Sequence, residues 1–398
     1  NAYNRLQHKD ELYYSVFSPE KNANWKGNLK RYRLGSDTIF DKNNKNAVNA
    51  ETGFFSDTSH SFWTEGDHDG KAVDKGGIAS RFRLPADLSS TNGRMVTTFL
   101  GDKDLINPSN RIHPDNNSLD NSLLALDSST TNTERKELIS WASGIDVNNE
   151  DEDTDPETFD DPRPFMEDPL HSQPVIINYS ADESVVFIST NSGYLHAFSP
   201  KLDDGTERPK ELFSFIPKEL LKNIKPYYSA DEGKEYGLDG PLSYYHNDLY
   251  PDGLLRDPTG KIQSVAIEGK EVKESIHIYA SMRRGGRNYY ALDVTSPESP
   301  SYLWQINGGE GKFAKLGQTW SKMIPAKIYW EGEETNVLFF GGGYDRDTED
   351  CLGSGSSLNC AAGPVRRAET AMGNAIFMVD ANTGEYLWSA SNKNAQLN

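Results

Sequence analysis

The densest run of potential ligands is "DVNNEDEDTDPETFDD", residues 146–161. Within it, Asp151, Asp153 and Asp155 occupy alternate positions. In a curled loop, alternate carboxylates converge on one side, and hard oxygen donors suit Ca2+, which takes roughly 6–8 of them. Glu157 could add a ligand by side chain or carbonyl, and Asp160 or Asp161 could close the set. Pro156 stands where an EF-hand needs glycine, and Pro162 where it needs a bidentate glutamate, so the loop is not a standard EF-hand. The competing reading is a solvated acidic linker. A sparser set, Asp67, Asp69 and Asp74 in "EGDHDGKAVDKGG", reads as a turn first and an ion site second.

Other chemistries find little support. His68, His171 and His196 lack the i,i+4 spacing of a zinc pair, and no H-E-x-x-H occurs. His196 alternates with apolar neighbours, which suits a satisfied interior residue or one facing a channel. There is no G-x-S-x-G elbow and no phosphate-binding loop. The two cysteines, Cys351 and Cys360, bracket a Gly/Ser-rich loop. A local disulfide there would contribute about 2–3 kcal/mol through loop entropy and would imply an oxidising compartment. Two unpaired thiols are the alternative.

Composition excludes whole classes. Across 398 residues, 60 acidic side chains face 41 Lys and Arg, a net charge of −19. That balance disfavours nucleic acid and anionic lipid as partners. No apolar run approaches the roughly 20 residues that a membrane-spanning helix needs. The first residue is Asn and no secretory signal is visible, which suggests a mature or excised fragment. The basic stretch "RRGGRNYY" reads as a connector whose Arg283, Arg284 and Arg287 pair with local carboxylates.

These groups must be positioned by an all-β body. "NAIFMVDANTGEYLWSAS" (Asn374 to Ser391) reads as a hairpin, and a lone hairpin is barely stable in water. Two relatives occur, from Gly193 to Pro217 and from Asn288 to Ile306. Ser199, Asp293 and Asp380 align at the end of the first strand of each pair, where an Asp side chain can accept from backbone N–H groups two residues on. Each pair follows a further apolar strand, and before that a segment opening near Pro174, Pro241 or Pro325, a tolerated place for proline. The unit is thus four strands met three times, about 173–217, 240–306 and 322–391. Repeated four-stranded sheets with aromatic signatures predict a β-propeller.

Three blades do not close a ring, since propellers use about 4–8. The remainder is expected from residues 1–165, which form an N-terminal β-rich part with long polar inserts and the acidic loop, or from sequence beyond either end. Residues 166–398 carry the recognisable blades. Strand-like pieces in the first part are "ELYYSVF", "GNLKRYRL", "IASRFRL" and "RMVTTFL". Two helices are expected as insertions: Thr133 to Ser143, capped by Asn132 or Thr133, and Pro217 to Ile224 with proline at the first helical position.

Two resemblances follow. "VDANTGEYLW" is similar to the blade motif A-x-D-x-x-T-G-x-x-x-W of quinoprotein dehydrogenases, but those enzymes typically need adjacent cysteines over the cofactor, and Cys351 and Cys360 are nine apart. A resemblance of far greater extent runs in order along nearly the whole chain. "WKGNLK", "INPSNR", "EDPLHSQPV", "VVFISTNSGYLHAF", "YGLDGPLSYY", "RRGGRNYYALDV" and "LGQTWSKM" resemble the C-terminal β-propeller region of the PilY/PilC family of type IV pilus proteins.

That resemblance implies a secreted, non-enzymatic factor at or near the pilus tip, reached through the periplasm and associated with the outer membrane. It would oppose pilus retraction, bind minor pilins of the tip complex and mediate attachment to host or abiotic surfaces. Calcium binding in the family is implied chiefly by a D-x-[DN]-x-D-G-x-x-D loop that this sequence does not contain. An acidic run where "NEDEDTDPE" sits favours the local loop instead. No Arg-Gly-Asp occurs. The alternatives are a PQQ-type oxidoreductase and a carbohydrate-binding propeller adhesin unrelated to pili.

Overall fold

β-Branched and aromatic residues set the strand positions, and the burial of each strand reports how many faces are covered. Ser184–Ser189 (β7, "SVVFIS") and Ile276–Ser281 (β13, "IHIYAS") are buried at every position, as expected of strands packed on both faces. Ser301–Ile306 (β15) instead alternates, with Tyr302, Trp304 and Ile306 buried and the residues between them half-buried. A computed structural model describes residues 10–64, 66–150, 161–201, 209–346, 372–391 and 394.

Among these residues the strands form four main sheets. The first joins β1 (Glu11–Ser18), β2 (Lys26–Leu34), β3 (Ile39–Phe40) and β5 (Met166–Glu167). The second runs β6 (Val175–Asn178), β7, β8 (Leu195–Ser199), β9 (Lys210–Phe215), with β4 (Val96–Thr97) added parallel to β9. The third runs β10 (Ser243–His246), β13, β14 (Tyr289–Asp293), β15. A separate hairpin, β11 (Ser264–Ile267) and β12 (Lys270–Lys273), is inserted between its first two strands. The fourth runs β16 (Ile324–Trp330), β17 (Glu333–Gly342), β18 (Gly373–Asp380), β19 (Tyr386–Ser391).

The second, third and fourth sheets repeat in detail. Each has a β-bulge between its third and fourth strands, at Ala197/Phe198, Ala291/Leu292 and Met378/Val379. Each bulge directly precedes Ser199, Asp293 or Asp380. Asp293 Oδ1 accepts from Thr295 N at 2.8 Å, and Asp380 Oδ1 from Asn382 N and Thr383 N at 2.8 and 2.9 Å. The extra residue of a bulge sharpens strand twist, and in the third and fourth sheets the Asx turn then reverses the chain.

Consecutive sheets pack face to face. Tyr13, Leu29 and Met166 of the first sheet meet Val186, Ile188 and Phe198 of the second. Phe187, Phe213 and Phe215 share a core with Ile278, Leu292 and Tyr302 of the third. The other face of the third sheet, with Tyr279, Tyr289 and Trp304, packs on Leu338, Phe340 and Phe377 of the fourth. An aromatic donor crosses each junction. Trp63 Nε1 donates to Pro200 O at 3.2 Å, Tyr179 Oη to Val294 O at 2.5 Å, and Trp304 Nε1 to Ala381 O at 3.1 Å. Each acceptor follows directly on the turn-starting residue of the next sheet. The hairpin quoted above is therefore held through its turn by the sheet before it.

Some local expectations need correction. "IASRFRL" forms a 3₁₀ turn at Ala79–Arg81 rather than a strand, and only Val96–Thr97 of "RMVTTFL" is strand. Helix α1 is Asn132–Ser143, and its cap is Thr131, one residue earlier than expected. Thr131 and Glu134 form a reciprocal capping box. Pro217 caps a 3₁₀ segment, Lys218–Asn223, which leads into α2 (Ile224–Tyr228).

Candidate functional site

The calcium ligands expected from the sequence, Asp151, Asp153, Asp155, Glu157 and Asp160, lie outside the described residues, as do Cys351 and Cys360. The start of the acidic run is described, and it is anchored. Asp146 is buried and accepts from Glu150 N at 2.8–2.9 Å. Glu150 in turn accepts from Trp141 Nε1 at 2.7 Å and from Arg163 Nε at 2.9 Å. Asp69, the centre of the sparser acidic set, is occupied structurally. Ser61 N and Oγ donate to it at 2.7 and 2.6 Å, and Lys30 Nζ lies 3.4 Å away. Among the described residues no group of three or more His, Cys, Asp or Glu side chains could hold a metal.

A different site emerges where the second, third and fourth sheets meet. The 3₁₀ turn Arg283–Gly285 follows β13, and Arg283 adopts a left-handed φ of 50°. Such a conformation in a non-glycine residue has to be enforced, and buried Thr319 enforces it. Its Oγ1 accepts from Met282 N at 2.9 Å and Arg283 N at 3.3 Å, while its backbone N donates to Gly286 O at 3.1 Å. Gly285 is required for space, because a Cβ there would lie 2.0 Å from Gly237 O. The turn is thus wedged between the segment before Asp239 and the loop before Trp320.

The wedge presents two arginines differently. Arg283 points to buried Asp239, with Nη1 3.2 Å from Oδ2, and lies 3.9 Å over the Trp320 ring. Asp239 also holds His171, whose Nδ1 is 2.8 Å from Oδ1. Arg284 is exposed and has no carboxylate partner among the described residues, where the sequence reading expected one. It donates to Tyr236 Oη at 3.1 Å and stands 5.4 and 5.9 Å from the Tyr236 and Trp320 rings. Gln318 Nε2 fixes the turn further by donating to Arg284 O at 3.1 Å.

Around this turn lies a cleft of about 840 Å³ of mixed charge, lined by Lys222, Lys234, Arg284, Arg287 and Arg346, by Glu219 and Glu235, and by Tyr236, Trp320 and Tyr344. Lys234 is braced beneath it, hydrogen-bonded to buried Asp168 and 4.2 Å over the Trp25 ring. Burial pushes the Asp168 carboxyl above its ordinary value and Lys234 below its own. The Trp320 indole N–H is shielded from solvent and has no acceptor among the described residues. A concavity of about 730 Å³ beside Leu123 shares Lys222 and Glu219 with it and has no aromatic residue in its lining.

Two of the unusual sequence strings prove to be the frame of this site. In "DPLHS", Asp168 receives Asn191 Nδ2 at 2.7 Å, His171 meets Asp239, and Ser172 Oγ accepts from Ser189 N at 3.0 Å. In "WKGNLK", Trp25 supports Lys234, and a Cβ on Gly27 would lie 2.5 Å from Glu167 O. Sequence reasoning did not single out Trp320, Tyr236 or Asp239. The available signal was an Arg-Arg-Gly-Gly turn in an otherwise acidic chain.

Deeper in the second sheet sits a closed ionic group. Arg94 Nε donates to Glu211 Oε2 at 2.6 Å, and His196 Nδ1 lies 2.8 Å from Glu211 Oε1. Burial alone would raise the Glu211 pKa, but Arg94 and His196 pull it down to about 2. His196 Nε2 is buried and has no partner among the described residues. The group ties the segment before β4 to β8 and β9, and all three side chains are buried, which makes it framework rather than site.

Comparison with known proteins gives a consistent direction. No family model matches the sequence. A type IV pilus biogenesis factor PilY1 homolog of Xylella fastidiosa is 29% identical over 143 residues, covering 36% of this chain and 9% of the relative. A second one from that organism is 31% identical over 125 residues, 31% of this chain and 7% of the relative. Type IV pilus biogenesis factor PilY1 of Pseudomonas aeruginosa is 28% identical over 164 residues, 41% of this chain and 12% of the relative. The chain therefore spans about a tenth of the length of these relatives. The crystal structure of the Pseudomonas aeruginosa PilY1 C-terminal domain aligns over 52% of this chain and 30% of that one, at 20% identity. Its TM-score is 0.30, too low to bear on the fold.

Proposed function

From the premise that the chain belongs to the PilY1 family, we propose that it is part of a non-enzymatic type IV pilus biogenesis factor that works by docking. The observation that carries this reading is the matching sequence of relatives bearing that name.

The finer reading has the protein at the pilus tip, exported through the periplasm to the cell surface. There it engages minor pilins, opposes retraction and contributes to attachment to host or abiotic surfaces. The four-stranded repeats are read as propeller blades. In support, three sheets share a bulge at the same place, and each receives an aromatic donor from the element before it. A further sheet would cover the outer face of the fourth, where Ile324, Ile376 and Trp388 are exposed. The acidic loop at Asp151, Asp153, Asp155, Glu157 and Asp160 is proposed to bind Ca2+ and stiffen before docking. Cys351 and Cys360 are proposed to pair.

The quinoprotein-like hairpin motif has a packing explanation that needs no cofactor. Gly384 has φ +71°, and a Cβ there would lie 2.7 Å from the Trp304 ring. Deletion of the gene tests the main reading. Surface pili are expected to disappear and to return when retraction is also blocked. Normal piliation in the deletion strain overturns it.

A further inference from the structure

In the second sheet Val175, Phe187, Ala197 and Phe213 stand opposite one another across four strands. Ser243, Tyr279, Ala291 and Trp304 form the same row in the third sheet. Ile324, Phe339, Met378 and Trp388 form it in the fourth. Directly paired residues of an antiparallel sheet share a face, so each row is one stripe across its sheet. Phe187, Ala197 and Phe213 are buried in the core shared with the third sheet, and Tyr279, Ala291 and Trp304 in that shared with the fourth. In the fourth row Met378 is buried, but Ile324 is 61% exposed, Trp388 is 41% exposed and Phe339 is half-buried. Two residues earlier on each third strand, Leu195 and Tyr289 are buried while their counterpart Ile376 is 44% exposed.

The opposite end of the stack is sealed. Leu29 of β2 faces the second sheet, so Asn28, Lys30 and Tyr32 lie on the outer face, and all three are fully buried. Residues 69–76 cover them. Lys30 Nζ donates to Asp69 O at 2.6 Å and to Gly70 O at 3.0 Å, Tyr32 Oη to Gly70 O at 3.2 Å, and Asn28 Nδ2 to Gly76 O at 3.0 Å. The first sheet therefore has no bare face to lay on the fourth, and the ring does not close by that contact. Whatever covers the fourth row is a different element.

The existing junctions say what kind of element fits. At each, an aromatic donor meets the carbonyl directly after the residue that opens the next sheet's turn. Trp304 is the fullest case: its N–H reaches Ala381 O, and Gly384 leaves room for its ring. Trp388 holds the register position of Trp304, opposite the residue before the bulge. A bare apolar stripe on a sheet marks an interface. The matched relatives are about ten times longer than the stretch they share with this chain, which leaves ample sequence for another sheet.

We infer that the stripe of Ile324, Phe339, Met378 and Trp388 is the seat of a fifth four-stranded sheet, formed in cis by residues of the longer protein outside these 398. The Trp388 indole N–H donates to the carbonyl that follows the first turn residue of that sheet. That the covering element is a sheet rests on the blade reading proposed above; the uncovered stripe does not.

The test uses the full-length protein carrying Ile324→Cys or Ile376→Cys. Tyr329→Cys, on the other face of the same strand as Ile324 and 78% exposed, is the reactive standard. Labelling by N-ethylmaleimide, read by mass spectrometry, is expected to be at least tenfold slower in the first two than in the third, and equal in all three in urea. Trp388→Phe, which keeps a ring but removes the N–H, is expected to speed labelling of Ile376→Cys severalfold. Circular dichroism establishes that each variant is folded. Labelling of Ile324→Cys and Ile376→Cys as fast as that of Tyr329→Cys overturns the proposal. Protection that fades on dilution to nanomolar protein overturns it in favour of a second copy. Protection lost when residues 347–371 are replaced by a Gly-Ser linker overturns it in favour of that segment. An unchanged rate in Trp388→Phe overturns the hydrogen bond. Fast labelling while gene deletion still abolishes pili removes only the fifth sheet. Slow labelling with a normally piliated deletion strain removes only the pilus reading.

Discussion

Trp304 and Ala381 lie 77 positions apart, yet the indole N–H of the one donates to the carbonyl of the other at 3.1 Å. The bond joins the fourth strand of the third sheet to the turn of the fourth sheet. Tyr279 Oη reaches the same carbonyl at 3.3 Å. Trp304→Phe keeps most of the apolar packing and removes the stronger donor. It should cost about 1–2 kcal/mol, while Trp304→Ala should cost about 3–5 kcal/mol. Urea denaturation of both variants checks the difference. An equal loss in the two would mean that packing contributes nothing beyond the hydrogen bond.

Gly384 is the other half of that contact. Its φ of +71° and the 2.7 Å approach of an added Cβ to the Trp304 ring both oppose any side chain. Gly384→Ala should therefore destabilise by more than about 1 kcal/mol, the scale of the conformational term alone. Gly53, with φ +73° and open space around it, is the control that carries only that term. Thermal melts that place both alanine variants at the same midpoint would remove the steric argument.

Glu211 sets an acid limit on the second sheet. Its folded pKa, about 2, lies below the ordinary carboxylate value. A depressed folded pKa contributes stability that is present above the unfolded value, roughly 4.3, and is lost as pH falls through the window down to about 2. The parent should lose stability steeply across that range. Glu211→Gln should flatten the dependence and lower stability at neutral pH, because Arg94 is left buried without its carboxylate. Denaturation midpoints measured from pH 2 to pH 7 decide this.

The helix cap offers a mild, local perturbation. Thr131→Ala removes one side of the Thr131–Glu134 box and should cost about 1 kcal/mol. Thermal denaturation of the variant against the parent checks the loss.

Calcium binding by the acidic loop is read by titration calorimetry. The parent should give a saturable heat with Ca2+ that disappears in the Asp151→Ala, Asp153→Ala double variant. Identical heats in the two proteins dismiss the loop as a site.

The sequence by itself determined the strands and their repeat. Apolar runs of uniform length, prolines at strand starts and Asp380-type turns are local properties, because a strand's period and a turn's Asx bond involve neighbours only. It also marked Arg283–Gly286 as an unusual turn in an acidic chain, though it misassigned Arg284 to a carboxylate. Irregular segments such as "IASRFRL" misled, because apolar residues there are buried by a 3₁₀ turn rather than by pairing. The cleft was not legible. It depends on Asp239, Thr319 and Trp320 meeting a turn that lies between them in sequence, on segments brought together only when the sheets stack face to face. Long-range contacts of this kind arise from burial of apolar area, which is blind to sequence separation, and so tertiary structure alone decided which residues would line the cleft.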